Sequence, residues 1–281
     1  MTELFLLQDI VKRSLTEDLV YGDRTTETLF PRAIPAIGEI IAKEDLVVAG
    51  LDLCQTVFDV LAPSVQFEIL IPPGKNAKPG EKIGILRGDA RALLKGERTA
   101  LNFIQRLSGI ATHTRRFVDR ANGVKIVDTR KTTPGLRALE KEAVILGGGY
   151  NHRFHLGDLI LIKDNHIVLA GGIINAVTKT RVTLSHPLKV EVEVKNLKEV
   201  EDAIQSGADI IMLDNMTIPQ IEEAVLLIRN KSPKIPIEVS GGINLNNVAS
   251  VAKCGIDMIS IGSLTHSAPA VDISLEIVHD K

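Results

Sequence analysis

The chain has 281 residues, of which 44% are hydrophobic and 24% are charged, and its formal net charge is −2. This length allows one large domain or two medium ones with a substantial core. The near-neutral charge argues against general nucleic-acid binding, which requires an extended basic surface. The aromatic content of 3%, with no tryptophan, argues against base-stacking surfaces and membrane-interface belts.

The amino terminus and the cysteines indicate a cytoplasmic protein. Residues 1–10 are apolar but contain Glu3 and Asp9 and have no basic start, which favours an amphipathic helix over a signal peptide. No apolar run is long enough to span a bilayer. Cys54 and Cys254 lack the spacing of metal ligands, as is typical of buried thiols in a reducing compartment. We therefore expect a soluble cytoplasmic protein without membrane or nucleic-acid partners.

Residues 1–110 predict a small α+β domain. Helices are expected over residues 4–15 and 93–108, and strands over residues 38–42 and 65–71. Proline–glycine pairs and the turn-rich residues 21–26 separate these elements. The tail, residues 270–281, is a candidate to join the same domain.

Residues 111–269 predict parallel βα units, because short apolar strands alternate with helical segments. The predicted strands are residues 124–127, 159–162, 190–194, 210–213, 237–239 and 258–261. The predicted helices are residues 139–146, 173–180, 197–206, 218–229 and 245–253. At least six units without a dinucleotide-binding glycine fingerprint favour a barrel over an open doubly wound sheet.

Polar or glycine residues follow almost every predicted barrel strand. They are Thr129-Arg130-Lys131, Lys163-Asp164, Asp214-Asn215, Ser240-Gly241-Gly242 and Gly262-Ser263. The carboxyl ends of barrel strands carry the active site. A solvated loop explains one such position but not a series, so we expect a functional site on this rim.

Cations are concentrated in the same part of the chain. Residues 98–163 contain twelve Lys or Arg and five Asp or Glu, a net charge of +7, so the remainder carries −9. Arginine binds carboxylates and phosphates through a planar fork, whereas lysine acts as a point charge. Arg130, Lys131, Arg153 and Lys163 therefore predict a small, multiply anionic ligand. Lys163 directly follows an apolar strand, and a lysine there must find a partner anion or lose its charge.

The two glycine segments predict a phosphate site. Gly241-Gly242 and Gly262 allow backbone N–H groups to approach a phosphate closely, and a following helix N-terminus adds positive potential. Barrels commonly bind phosphate after their last two strands. A tight turn alone would explain one of these segments, but not two at adjacent strand ends.

The carboxylates on two neighbouring strands predict a cation site. Glu191 and Glu193 alternate with valines, which places both on one face of a strand. Asp214 ends the next strand, and such a set suits a hydrated Mg²⁺. The alternative is a structural network of ion pairs with nearby cations. His152 and His266 are of a type that is more often structural than catalytic, and only their neighbours make them candidates.

Several long motifs resemble the quinolinate phosphoribosyltransferase family, also called nicotinate-nucleotide pyrophosphorylases (carboxylating). The three most specific are residues 128–137 (DTRKTTPGLR), 147–153 (GGGYNHR) and 161–166 (LIKDNH). Others are residues 22–26 (GDRTT), 97–102 (ERTALN), 190–194 (VEVEV), 213–215 (LDN), 240–243 (SGGI) and 261–266 (IGSLTH). The resemblance covers nearly the whole chain.

The resemblance implies an open (β/α) barrel over residues 111–269, preceded by an N-terminal α/β sandwich (α+β) domain over residues 1–110. It implies an enzyme of NAD biosynthesis that makes nicotinate mononucleotide, pyrophosphate and CO2 from quinolinate and phosphoribosyl pyrophosphate. It further implies Mg²⁺ as cofactor. The expected assembly is a homo-oligomer, a dimer or a hexamer, in which each site borrows Arg98 from the neighbouring chain.

The resemblance also implies roles for individual residues. The quinolinate clamp would comprise Arg130, His152, Arg153 and Lys163, with Arg98 from the neighbouring chain. Lys131 would lie between quinolinate and the sugar pyrophosphate, and Glu193 and Asp214 would face the ribose hydroxyls and Mg²⁺. Thr129, Ser240, Gly241, Gly242, Ile261, Gly262, Ser263 and His266 complete the predicted substrate-binding set. The catalytic residues would be Lys131, Lys163, Glu193 and Asp214, with Glu193 preferred over Glu191 for its spacing to Asp214.

Three alternatives remain at this stage. A paralogous phosphoribosyltransferase with another acceptor is one, although this chain keeps the quinolinate form of residues 152–153 and 163–166. A Schiff-base aldolase with Lys163 as nucleophile is another, but the surrounding guanidinium groups oppose it. The third is a catalytically silent sugar-phosphate binder, which the complete set of charged positions disfavours.

Overall fold

The computed structural model describes residues 4–184 and 188–279. The chain divides into two compact units. The first contains the chain up to Arg115, Thr133–Gly148 and the segment that begins at Ser267. The second contains Arg116–Thr132 and Gly149–His266. Each unit is therefore assembled from segments that are not contiguous in sequence.

Helices and strands are mixed along the whole described chain. In chain order the elements are α1 (Leu4–Leu19), α2 (Arg24–Leu29), β1 (Pro35–Ala42), β2 (Leu46–Val47), α3 (Leu51–Leu61), β3 (Gln66–Ile69), β4 (Asn76–Ala77), β5 (Lys82–Asp89), α4 (Ala90–Arg120), β6 (Lys125–Val127), α5 (Arg137–Leu146), β7 (Ile160–Ile162), α6 (Asp164–Ala170), α7 (Ile173–Thr183), β8 (Val190–Val194), α8 (Leu197–Gln205), β9 (Ile210–Asp214), α9 (Ile218–Lys231), β10 (Ile237–Ser240), α10 (Val248–Val251), β11 (Met258–Ser260), α11 (Ser263–His266) and β12 (Ile273–His279). A single 3₁₀ turn, Ala252–Cys254, follows α10.

The first unit is built on an antiparallel sheet of strand order β12-β1-β5-β3. Along β1 every second side chain is buried, as expected for a sheet with one face against a core. The last strand, β12, pairs with β1 over seven residues. This arrangement confirms the predicted α+β sandwich and gives the carboxyl-terminal tail a place in its sheet.

The second unit contains a parallel sheet of strand order β6-β11-β10-β9-β8-β7. Consecutive strands from β7 to β11 are neighbours, and β6 lies beside β11. Among the described residues no pairing joins β6 to β7, so the barrel is open. All six strands coincide with predicted ones to within one residue at each end, and the predicted open (β/α) barrel is confirmed.

The register of the parallel sheet places the polar residues of neighbouring strands on one face. Glu193 is opposite Met212, Met212 is opposite Glu238, and Asp214 is opposite Ser240. Because side chains alternate along a strand, Glu191 lies on the same face as Glu193. We call this the interior face. The valines of β8 occupy the opposite face and are fully buried.

Two aspartates at the amino ends of the strands make matching contacts. Asp209 accepts hydrogen bonds from the first backbone N–H of β8 and from Arg181 of α7, both at 2.6 Å. Asp257 accepts hydrogen bonds from the first backbone N–H of β10 and from Arg229 of α9, both at 2.7 Å. Each aspartate thus connects the beginnings of two adjacent strands to the helix before them.

Helix α4 differs most from its predicted extent. It was expected over residues 93–108 but covers Ala90–Arg120, so that the predicted domain boundary at residue 110 lies inside it. Gly109 is a weak helix former. Ile110 and Phe117, beyond it, are fully buried, and such packing stabilises a helix more than local propensity does.

Two further differences have local causes. Helix α3 was not predicted. Its sequence is dominated by apolar residues, and its buried residues include Leu53, Val57 and Phe58. The apolar residues therefore do not repeat with a clear helical period. The helix predicted over residues 245–253 is shorter, and α10 begins only at Val248. Before it, the Asn244 side chain accepts from the N–H of residue 246, and such local bonds compete with a helix.

None of the helices in the described part of the chain is both long and apolar enough to cross a lipid bilayer.

The Asp257 contacts give a prediction about stability. We expect Asp257→Ala to lower the free energy of unfolding by about 1–3 kcal/mol, because it leaves the first N–H of β10 without its acceptor. The measurement is chemical or thermal denaturation. A suitable control is Asp202→Ala, which removes only the ion pair with Lys198 on α8 and should change stability by less than about 0.5 kcal/mol. Equal effects of the two changes would contradict the role assigned to Asp257.

Candidate active site

The second unit collects most of the predicted site residues at the carboxyl ends of its strands. Thr129, Arg130 and Lys131 follow β6, Lys163 follows β7, Glu193 lies on β8, Asp214 ends β9, Ser240, Gly241 and Gly242 end β10, and Ile261, Gly262 and Ser263 follow β11. His152 and Arg153 follow Tyr150, which forms an isolated parallel bridge with Val127 of β6. The predicted rim therefore exists as one edge of a single sheet.

Arg130 and Arg153 form a pair of like charges. Burial lowers the pKa of the Arg153 guanidinium, and the positive charge of Arg130 lowers it further. One hydrogen bond holds Arg153, from Nη1 to the carbonyl oxygen of Leu159 at 3.0 Å. Nε of Arg130 is buried without a hydrogen-bond partner among the described residues. A buried guanidinium N–H without an acceptor beside a second cation indicates a binding site for an anion.

His152 is held on both sides of its ring. The backbone N–H of Arg153 donates to Nδ1 at 2.7 Å, so Nδ1 carries no proton. Nε2 lies 3.2 Å from Oε2 of Glu191 and 3.6 Å from Oε2 of Glu238. The backbone N–H of His152 donates to Oδ1 of the buried Asp128 at 2.8 Å. In this arrangement His152 supports the loop that carries Arg153, and its ring nitrogens face protein groups.

The structure separates the two glutamates of β8. Glu193 is 8% exposed and its Oε2 accepts a hydrogen bond from Lys163 Nζ at 2.6 Å. Glu191 lies deeper, is fully buried and faces His152. Glu193 thus lies nearer to the rim than Glu191 does. Glu193 is thus the partner anion that a lysine directly after an apolar strand requires.

Asp214 belongs to a turn that is shaped by Asn215. Asn215 adopts a left-handed backbone with φ of 54°, its N–H donates to the Ser240 carbonyl at 2.9 Å, and its side chain donates to Asp214. A side chain at Gly241 would place Cβ 2.3 Å from the Asn215 side-chain oxygen. Gly241 also has φ of 87°, so glycine is required here for two separate reasons.

Lys131 and His266 meet above Gly262. A Cβ at Gly262 would lie 3.0 Å from Cδ of Lys131 and 3.1 Å from Nε2 of His266. The Lys131 backbone is fixed, because its N–H donates to Thr129 Oγ1 at 3.0 Å and its carbonyl accepts from Thr265 Oγ1 at 2.8 Å. The glycine therefore leaves room for the Lys131 side-chain stem and the His266 ring beside the same point of the backbone.

Helix dipoles contribute less to the predicted phosphate site than the sequence indicated. The helices after the two glycine segments, α10 and α11, have four residues each. α10 begins only at Val248, well after Gly242. Few peptide dipoles add up in so short a helix. Backbone N–H groups of the glycine segments, rather than helix N-termini, are the main candidates for phosphate contacts.

Two predicted residues lie in different settings from the rest. Arg98 belongs to the first unit, on α4, where its side chain is 62% exposed and lies 3.9 Å from Glu97. Ile261 is buried, and its N–H donates to the Val127 carbonyl. Any part that Ile261 has in substrate binding must therefore come from its carbonyl or its apolar side chain.

Sequence reasoning missed several residues around the rim. Lys195 pairs with Asp164 at 2.9 Å, and Glu193 and Asp214 add to the raising of the Lys195 pKa, which is due mainly to Asp164. Glu238, in the middle of an apolar strand, was not considered. Both residues could have been identified from their sequence positions. Glu238 interrupts an apolar strand and Lys195 immediately follows one, and ionisable groups so near a core require partners.

Glu193 and Asp214 have the chemistry of a Mg²⁺ site. Both end on the interior face, on neighbouring strands, and both offer the oxygen ligands that Mg²⁺ prefers. Lys163 already neutralises one oxygen of Glu193, which suits indirect coordination through water. The same contact means that the alternative, a structural ion pair, is present as well.

The first unit contains a concavity of a different character. Its volume is about 340 Å³, and its lining includes Asp52 and Glu142 but no lysine or arginine. Burial, and then the charge of Glu142, raise the pKa of the Asp52 carboxyl. A lining with two acids and no described cation does not suit a multiply anionic ligand, which leaves the rim of the second unit as the candidate.

The chain resembles one family of known proteins along nearly its whole length. Residues 23–108 match the N-terminal domain, and residues 110–276 the C-terminal domain, of quinolinate phosphoribosyl transferases. The chain is 39% identical over 275 residues to nicotinate-nucleotide pyrophosphorylase (carboxylating) of Mycobacterium leprae, covering 96% of each chain. It is 40% identical to the same enzyme of Arabidopsis thaliana over 290 residues, covering 96% of this chain and 82% of the relative.

A solved structure extends the likeness to three dimensions. The nicotinate-nucleotide pyrophosphorylase of Francisella tularensis has a TM-score of 0.93 and 40% sequence identity, covering 99% of this chain and 98% of that one. Sequence, fold and the charged rim therefore agree, and the chain belongs to the quinolinate phosphoribosyl transferase family.

Proposed function

We propose that the rim of the second unit binds quinolinate and phosphoribosyl pyrophosphate side by side. The enzyme would transfer the phosphoribosyl group to the pyridine nitrogen and release pyrophosphate and CO2, which gives nicotinate mononucleotide. Family membership supports this reaction. The observation that supports the site assignment is the Arg130–Arg153 pair, in which a buried guanidinium N–H has no acceptor among the described residues. The two adjacent carboxylates of quinolinate would supply the missing anions.

The quinolinate clamp follows from the charges at the rim. Arg130 and Arg153 can each present a planar fork to a carboxylate. Lys163 adds a third cation, and its bond to Glu193 fixes the position of its ammonium group. Both ring nitrogens of His152 face protein groups, so we assign His152 a supporting role behind Arg153 rather than direct binding.

The sugar pyrophosphate would occupy the other half of the rim. Ser240, Gly241 and Gly242 offer backbone N–H groups to the phosphate. Lys131 and His266, which meet above Gly262, offer side-chain donors. Glu193 and Asp214 would face the ribose hydroxyls and hold Mg²⁺ through water. Bound Mg²⁺ would neutralise charge on the pyrophosphate oxygens.

The reaction requires charge stabilisation and alignment more than acid–base chemistry. The ring nitrogen attacks C1 of the ribose as the bond to pyrophosphate breaks, and Glu193 and Asp214 face the positive charge that develops on the sugar. Lys131 faces the negative charge of the leaving group. The alkylated ring is a cation, and it accepts the electron pair released when the carboxylate beside the nitrogen leaves as CO2. A proton from solvent then takes the place of that carboxylate.

The exposure of Arg98 supports an assembly with shared sites. Its side chain is 62% exposed on α4, and the family resemblance implies that this arginine serves the site of a neighbouring chain. We therefore propose a homodimer, or a larger assembly of such dimers, in which the neighbour's arginine completes the quinolinate clamp.

The clamp assignment gives the first functional prediction. Arg130→Ala should raise the dissociation constant of quinolinate at least about thirtyfold, because it removes one side of a desolvated charge pair. Calorimetric titration measures this effect. Arg116→Ala, an exposed cation on α4, is the control and should bind within about twofold of wild type. Quinolinate binding that survives Arg130→Ala unchanged would refute the clamp.

The proposed Mg²⁺ site gives a second prediction. Asp214→Asn should lower kcat and raise the Mg²⁺ concentration for half-maximal pyrophosphate release, whereas quinolinate affinity should stay within about twofold. Glu201→Gln, which removes an exposed carboxylate paired with Lys231, controls for the loss of charge. An unchanged Mg²⁺ requirement in Asp214→Asn would exclude Asp214 as a metal-binding residue.

Shared sites give a third prediction. Arg98→Ala and Arg130→Ala should each be inactive alone, and co-expression of the two chains should restore about a quarter of wild-type activity, because half of randomly paired dimers then contain one intact site. Pyrophosphate release from the mixed preparation measures the recovery. Activity that remains absent in verified mixed dimers would show that Arg98 serves its own chain, and full activity of Arg98→Ala alone would show that it serves no site.

A further inference from the structure

The interior of the barrel contains two buried carboxyl groups that the proposed reaction does not use. Glu191 on β8 is fully buried and Glu238 on β10 is 1% exposed. Neither oxygen of Glu191 nor Oε1 of Glu238 has a hydrogen bond of good geometry among the described residues, although Glu191 and Ser260 lie near enough to Glu238 to affect its pKa and His152 lies 3.2 Å from Glu191. An unsatisfied buried carboxylate is strongly unfavourable. Two of them together indicate a function that outweighs their cost in stability.

His152 connects this pair to the substrate clamp. Its Nε2 lies within 3.2 Å of Glu191 and 3.6 Å of Glu238. Its Nδ1 accepts the backbone N–H of Arg153 at 2.7 Å, so the ring proton must lie on Nε2, toward the carboxyl groups. The chain of contacts therefore runs from the buried pair through one imidazole to the residue that carries a clamp guanidinium.

The pair also balances the charge of the clamp. Burial and the charge of Arg130 both act against the charged form of Arg153 and lower its pKa, whereas the negative charge of Glu191 acts in the opposite direction. Burial and the charge of Glu191 raise the pKa of Glu238 to about 8. Of the pair, Glu191 is the member whose charge acts on Arg153.

We propose that Glu191 is a positioning residue for quinolinate: through His152 and through its own charge it holds Arg130 and Arg153 together in the absence of substrate. Without Glu191 the Arg153 guanidinium would lose one of the two acids, Glu191 and Asp158, whose charges offset its repulsion by Arg130. The clamp would then lose the spacing that fits two adjacent carboxylates. The inference rests on the proposed function and extends it to a residue that does not touch the substrate.

A bound metal ion is the competing explanation for the same cluster. His152, Glu191 and Glu238 each offer one ligand atom, all within 4.8 Å of one another. However, a histidine that binds a metal through one nitrogen ordinarily donates a proton from the other. Nδ1 of His152 instead accepts a hydrogen bond. The geometry thus favours a proton on Nε2 over a metal ion.

The experiment compares Glu191→Gln and Glu238→Gln with wild type, using Asp209→Asn as a matched control. Asp209 lies at the opposite ends of the strands and accepts hydrogen bonds from Arg181 and the Val190 N–H. For each protein the KM of quinolinate, the KM of phosphoribosyl pyrophosphate and the melting temperature are measured, together with the metal content.

We expect Glu191→Gln to raise the KM of quinolinate about tenfold or more and to leave that of phosphoribosyl pyrophosphate within about twofold. Its melting temperature should not fall, because an amide relieves a buried charge. Glu238→Gln should bind quinolinate within about threefold of wild type, because Glu238 lies farther from Nε2 of His152 than Glu191 does. Asp209→Asn should lower the melting temperature and alter neither KM.

Three results would overturn the inference. They are an unchanged quinolinate KM in Glu191→Gln, an equal rise in both KM values accompanied by a lower melting temperature, and a stoichiometric metal in wild type that Glu191→Gln lacks. If Glu191→Gln does not fold, the carboxylate is structural and the inference also fails. Failure of the proposed function would be distinct, since wild type itself would then release no pyrophosphate with quinolinate.

Discussion

The central constraint on this structure is the need to balance charge inside a parallel barrel. Both faces of β8 are buried, and yet the interior face carries Glu191, Glu193 and Glu238. A buried charge is tolerated only with a partner. Glu193 has Lys163 at 2.6 Å, and Glu191 has His152 and, more remotely, Arg153. Lys163 and Arg153 thus each have an acid on their inner side, Glu193 and Glu191 respectively. The outer sides of these cations are available to anions.

This arrangement would keep the proposed clamp residues Arg130 and Arg153 near each other when no substrate is bound. Two guanidinium groups would normally move apart, and both are long enough to reach solvent. The buried glutamate and the hydrogen bonds at His152 and Leu159 keep one of them within the loop. If these groups bind quinolinate as proposed, their organisation before the ligand arrives lowers the free-energy cost of ordering them on binding.

Much of this could be predicted from the sequence. The strands of the second unit follow from short β-rich runs that alternate with helices, and the rim follows from what comes after each strand. The limits are equally physical. The extent of α4 beyond Gly109 depends on the burial of Ile110 and Phe117, which local propensity does not report. Glu238 lies within an apolar strand, and the sequence cannot show that it meets Glu191, because that meeting depends on the register of three strands. The shortness of α10 reflects side-chain bonds of Asn244 and Asn247.

The pairing of β12 with β1 has a consequence for protein synthesis. β12, the last described strand in chain order, completes a sheet in which its neighbour β1 is the first strand in chain order. In the barrel, likewise, β6 cannot pair with its neighbouring strand until β11 has been synthesised. Neither sheet can complete its hydrogen-bond pattern until these late strands have been synthesised. Such long sequence separations slow folding, and they expose strand edges to chaperones or to aggregation in the meantime.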